Sequence, residues 1–146
     1  MSIAFGTRRA EWVKLADVPP PLAAEDLARF EAADLFYRSL CALLYNYVPM
    51  SGHPGGSISS GRFVAGILFD AMDYDLAKPD RAEADIVSYA AGHKAMGLYS
   101  MWALRDELAR VGNPSLLPGD PALRLRLEDL LGFRRNPITA TPLFRS

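Results

Sequence analysis

The chain has 146 residues, half of them apolar and 23% charged, with a formal net charge of -1. This is the size and composition of one soluble globular domain, or a large piece of one. The near-neutral charge gives no electrostatic reason to expect nucleic acid or a membrane surface as a partner.

Residues 1–22 end in "DVPPPLA", and three successive prolines favour an extended segment, so this stretch reads as an N-terminal arm to a domain spanning 23–146. From Ala24 to Val48 apolar residues recur at three- and four-residue steps through Leu27, Phe30, Leu40, Leu44 and Val48. That pattern predicts a helix with acidic Glu25 and Asp26 near its start and Pro49 as its stop. Cys41, the single cysteine, falls inside this pattern and reads as a buried small hydrophobe. A lone cysteine excludes an intrachain disulfide, and the N-terminus lacks an apolar run of signal-peptide length. Together these place the expected location in the cytoplasm.

The stretch "SGHPGGSISS", Ser51 to Ser60, interrupts the helical pattern with glycine and serine. Gly52, Gly55 and Gly56 permit positive φ and close backbone approach, Pro54 fixes the turn after His53, and Ser57, Ser59 and Ser60 stand at a helix start. The residues by themselves favour a tight connection with a surface histidine over a loop holding an anionic or polar ligand beside an imidazole, and a helix from Ser60 to Met72 is expected to follow. "DLAKPDRAEA" reads as a polar connection, and "DIVSYA", Asp85 to Ala90, as a short β-strand running into Gly92-His93. The carboxyl end of a strand is where open α/β sheets place ligands. Lys94 adds charge there. An amphipathic helix is predicted from Lys94 to Val111, closed by Gly112 and Pro114, and a further helix from Pro121 to Gly132. Asp120 reads as a turn or cap residue. Tyr45, Tyr47, Tyr99 and Trp102 read as core or interface, Arg134 and Arg135 as a solvated pair, and the Pro-containing tail as a loop.

Both histidines of the chain stand in "GH" dipeptides before helices, without the short spacing or cysteine partners of a zinc site. In this order the two motifs resemble the transketolase family. "SGHPGGSISS" is similar to its first signature, and "GHKAMGLYSMWAL" to its second. The intervening "DYD…KPDRAEADIVSY" resembles the family's connection, so the likeness covers roughly Leu27 to Leu108. The resemblance implies an α/β chain, the helix-rich N-terminal part of a doubly wound thiamine-diphosphate-binding domain whose sheet is completed by other segments or chains. It implies a transferase that moves a two-carbon ketol unit from a ketose phosphate to an aldose. His53 and His93 take the catalytic roles, and Gly52, His53, Pro54, Gly55, Gly92 and His93 shape the cofactor site.

The chain departs from the family at Ala90-Ala91, where polar residues are usual, and in a longer insert around "GNPSLLPGDPALRLRLEDLLGFRR". It also lacks the family's "GDG" motif and its downstream asparagine, which hold Mg²⁺. The metal ligands are therefore expected on a complementary polypeptide, in a split or cut enzyme active only with that partner and assembled as a higher oligomer, or else the chain descends from one that lost catalysis. Two alternatives stand beside this reading. One is a thiamine-diphosphate enzyme acting on pyruvate or another 2-oxoacid. The other is a non-catalytic binding subunit.

Overall fold

A computed structural model describes residues 20–48 and 52–133 of the chain. The N-terminal arm before residue 20, Ser51, Arg134, Arg135 and the tail lie outside the described residues.

Three helices form the frame. Helix α1 spans Ala24–Tyr47, α2 spans Pro54–Gly66 and continues as a π-helical turn over Ile67–Ala71, and α3 spans Ala95–Gly112 after a 3₁₀ turn at Gly92–Lys94. Each packs against the other two. Their shared interior has two apolar clusters. Tyr37, Cys41, Val64, Leu68, Leu98 and Met101 fill the first, where all three helices meet. Leu44, Val48, Met96 and Ala103 form the second with Leu125, Leu130 and Phe133, which close one end of the bundle. Cys41 is fully buried, as its place in the apolar pattern predicted. No helix among the described residues is long and apolar enough to cross a membrane.

Two buried carboxylates tie the frame together. Asp34 accepts from Arg38 on its own helix at 2.9 Å and from Arg62 on α2 at 3.0 Å. Asp106 on α3 accepts from Arg105 and from the backbone N–H of Leu125 at 2.8 Å. A buried charge needs such partners, because the desolvation it suffers is otherwise uncompensated.

Helices α1 and α3 lie where the apolar periodicity predicted them. Three expectations are corrected. The glycine-rich stretch is not a loop: α2 begins at Pro54 rather than Ser60. Proline at the first helical position has the φ a helix needs and lacks only an N–H that would have been unpaired there. Gly55 and Gly56 are accordingly helical, and Gly52 alone among the described glycines has positive φ, at 112°.

The second correction concerns Asp85–Ala90, which belongs to no strand, and no strand occurs among the described residues. A strand exists only through a ladder with a neighbour, and no described segment supplies one. The third concerns Pro121–Gly132. It is not a helix but two 3₁₀ turns, Pro121–Leu123 and Glu128–Gly132, separated by extended residues. Asp120 caps the first by accepting from the Ala122 N–H at 2.9 Å, as expected of it. Tertiary bonds then hold the chain out of a helix: Leu125 donates to Asp106, and Arg124 reaches back to the carbonyls of Pro118 and Gly119. The fold is thus helix-rich.

Candidate functional site

The two "GH" dipeptides meet. His53 occupies the position before α2 in an extended conformation, and His93 sits in the 3₁₀ turn that leads into α3. The His53 N–H donates to the His93 carbonyl at 3.4 Å. The imidazole centroids are 6.1 Å apart with the ring planes inclined at 67°, and both side chains are exposed to solvent. The entrances of α2 and α3 therefore meet at the surface, with the two exposed imidazoles side by side.

Gly52 makes this approach possible. A Cβ built on it would overlap the His93 carbonyl oxygen, and its φ is one that other L-residues rarely adopt. Gly56, Gly61 and Gly97 serve packing instead. The Lys94 stem crosses Gly56 so closely that a Cβ there would lie 2.8 Å from Lys94 Cδ. The Tyr37 ring rests on Gly61, and no side chain approaches Gly55 or Gly92 within 4 Å. At the start of α2 the amides of Gly55 and Gly56 have no carbonyl within the helix to bond, which leaves backbone donors beside His53.

Beneath this junction a fully buried serine locks three elements together. Ser57 Oγ donates to the Lys94 carbonyl at 3.3 Å and lies 2.5 Å from the Tyr45 hydroxyl, which donates to it. The Ser57 carbonyl accepts from the Tyr37 hydroxyl at 2.8 Å. Gly97 on α3 admits Ser57, since a Cβ there would meet Ser57 Cβ at 2.5 Å and the Tyr37 hydroxyl at 2.8 Å. Burial pushes the Tyr37 phenol well above its ordinary range and raises Tyr45 too, Ser57 partly offsetting the latter. Burial likewise raises the Cys41 thiol, opposed by hydrogen bonds from Tyr37 and Ser100. These groups stay protonated and hold position.

The sequence placed Ser57, Ser59 and Ser60 together at a helix start. The structure separates them. Ser57 points into the interior, while Ser59 and Ser60 donate to the Gly56 carbonyl of their own helix. Lys94 is drawn over the Tyr89 ring, its Nζ 5.8 Å from the centroid. Tyr37 and Gly97 were missed, and their only sequence signal was a glycine at an apolar helix position opposite a tyrosine. Pro54 and Gly55 lie in the first turn of α2, and Gly92 opens the turn that carries His93, so these residues stand at the two adjoining helix entrances. His93 follows a segment without regular structure rather than the end of a sheet strand. Among the described residues, no cluster of three or more His, Cys, Asp or Glu side chains is placed to hold a metal ion.

No family model, no curated protein and no solved structure matches this chain.

Proposed function

We propose that this chain is the N-terminal, helical part of a transketolase-like transferase, a subunit that completes a thiamine-diphosphate site with a complementary polypeptide. One observation carries the reading. Two histidines far apart in sequence, each in a motif resembling a family signature, are brought side by side by the His53–His93 backbone bond, with their ring centroids 6.1 Å apart.

The residues present fit part of the implied cofactor's surroundings. Gly52 lets the chain lie against the His93 carbonyl, the Gly55 and Gly56 amides suit an anionic or polar group, and His53 and His93 place two imidazoles nearby. When bound, thiamine diphosphate supplies the electron sink for carbon–carbon cleavage. This chain's part is then to orient the sugar and exchange protons with its hydroxyl groups through the imidazole of His53, with His93 positioned from the neighbouring turn. The Mg²⁺ ligands, and the remaining sheet of a doubly wound domain, come in this reading from the complementary polypeptide.

Two assays test it. Native mass spectrometry of the purified material, with and without thiamine diphosphate and Mg²⁺, is expected to show a second polypeptide and cofactor-dependent mass. The complex is expected to turn over a ketose phosphate. Turnover of pyruvate alone would replace ketol transfer with 2-oxoacid chemistry. A second reading, a non-catalytic binding subunit, draws on the exposed Phe36 and Leu43 of α1 and Phe63 of α2. It predicts a complex whose turnover, if any, is indifferent to His53.

A further inference from the structure

The fold, not the spacing along the chain, makes His53 and His93 neighbours. Their backbones are bonded at 3.4 Å, and Gly52 lies against the same carbonyl, so the attachment points of the two side chains are held together. The ring centroids stand 6.1 Å apart, and the planes are inclined at 67° rather than stacked, which leaves the ring edges able to turn toward one point. Among the described residues neither imidazole takes part in a hydrogen bond or an ion pair, and both are exposed. The adjacent cation, Lys94, is drawn aside over the Tyr89 ring. Two strong nitrogen ligands are thus uncommitted, paired and open to solvent.

We propose that His53 and His93 form a bidentate site for a borderline divalent transition-metal ion, Cu²⁺ first and Ni²⁺ and Zn²⁺ after it. Imidazole nitrogen binds such ions at about 2.0–2.1 Å, so two rings on one tetrahedral ion have centroids about 5 Å apart. The observed 6.1 Å differs from this by about 1 Å, a closure that exposed side chains make by small, fast rotations. Two protein ligands fall short of a closed structural site, and among the described residues no cluster of three ligating side chains exists. Water fills the other positions, and the ion is exchangeable. The helix entrances behind the rings carry partial positive charge and oppose a bare cation. Binding therefore depends on coordinate bonds to nitrogen, whose strength follows the order of metals given above. Mg²⁺ and Ca²⁺, which take oxygen ligands, are not retained by the pair. The regulatory consequence rests on the transferase reading. An ion on both rings occupies the nitrogens assigned to proton exchange, so it is a reversible inhibitor of the complex.

Calorimetric titration of the full chain, free of any affinity tag, with Cu²⁺, Ni²⁺, Zn²⁺ and Mg²⁺ tests the site. One ion per chain is expected, bound most tightly for Cu²⁺ and not at all for Mg²⁺. The electron paramagnetic resonance spectrum of bound Cu²⁺ is expected to show two coordinated imidazoles. His53→Ala and His93→Ala are each expected to weaken Cu²⁺ binding by about 100-fold, the scale of a lost second attachment. The spectrum of the unaltered chain keeps the test independent of how either variant folds. No binding, a spectrum with fewer than two imidazoles, or affinity unchanged in either variant would overturn the proposal. In the complex, Cu²⁺ or Zn²⁺ is expected to abolish turnover of a ketose phosphate, and a chelator to restore it. Undiminished turnover with the ion bound would overturn the inhibitory role. Two-imidazole binding in a chain whose complex turns over no ketose phosphate would keep the metal site and sink the transferase reading. Turnover that depends on His53 in a chain that binds no ion would do the reverse.

Discussion

The backbone N–H of His53 donates to the carbonyl of His93, and this one bond joins the entrance of α2 to the entrance of α3. Gly52 is the hinge of that contact, because its positive φ turns the chain toward His93 and its missing Cβ leaves room for the carbonyl.

Gly52→Ala is therefore expected to break the junction. A non-glycine residue held at such a φ costs about 1–3 kcal/mol before any steric overlap is counted. The expected result is a fall in denaturant stability of at least that order and loss of cross-relaxation between the two imidazoles by NMR. Unchanged stability with the imidazole contact intact would show that the junction does not depend on this glycine.

His53→Ala and His93→Ala make the opposite demand. Both side chains are exposed, so each variant of the isolated chain is expected to melt within a few degrees of the parent, in line with the small effect of surface substitutions, typically within about 0.5 kcal/mol. In the complex, His53→Ala is expected to lower turnover of a ketose phosphate by about 10²–10⁴-fold if its imidazole transfers protons. Turnover that survives His53→Ala would favour the binding-subunit reading.

Two other glycines separate packing from helix propensity. Gly97→Ala pushes a methyl against Ser57 and the Tyr37 hydroxyl, and overpacking of this kind costs about 1–3 kcal/mol. Gly66→Ala meets nothing within 4 Å in a helical conformation and is expected to stabilise the chain by about 0.5–1 kcal/mol. Urea unfolding of the two variants should shift in opposite directions, and a shared direction would refute the packing assigned to Gly97.

The buried phenol and thiol set the alkaline limit. Burial raises Tyr37 above its ordinary 10.0 and Cys41 above its ordinary 9.0, so the unfolded chain loses these protons at lower pH than the folded one. Their contribution to stability is complete below about pH 9 and is lost as pH rises from there through the raised folded values. Each such group adds a slope of about 1.4 kcal/mol per pH unit across its own window. Urea midpoints measured from pH 7 to 11 are expected to be flat and then fall. Tyr37→Phe, though less stable at neutral pH through loss of its bond to the Ser57 carbonyl, should fall less steeply above pH 10.

What the sequence by itself determined is local. The apolar spacing in α1 and α3 dictated helices, because one buried face recurring every three or four residues has few other solutions. The buried place of Cys41 and the capping role of Asp120 followed from the same local chemistry. The pairing of the two "GH" motifs raised the expectation of a shared site, but only the tertiary structure brought His53 and His93 together, since nothing in the spacing of two loops states the distance between them.

The tertiary structure also decided against three local signals. Glycine and serine after Pro54 read as a loop, yet Tyr37 and the Lys94 stem occupy the space that side chains at Gly61 and Gly56 would take, and this packing favours the helix. Leu125 was drawn out of a predicted helix by the buried carboxylate of Asp106, a partner on another element that no local pattern encodes. The residues of "DIVSYA" have the alternation of a strand without the ladder. Their β-character is written in the sequence, but a strand is a relation between two segments, and the second segment is not among the described residues.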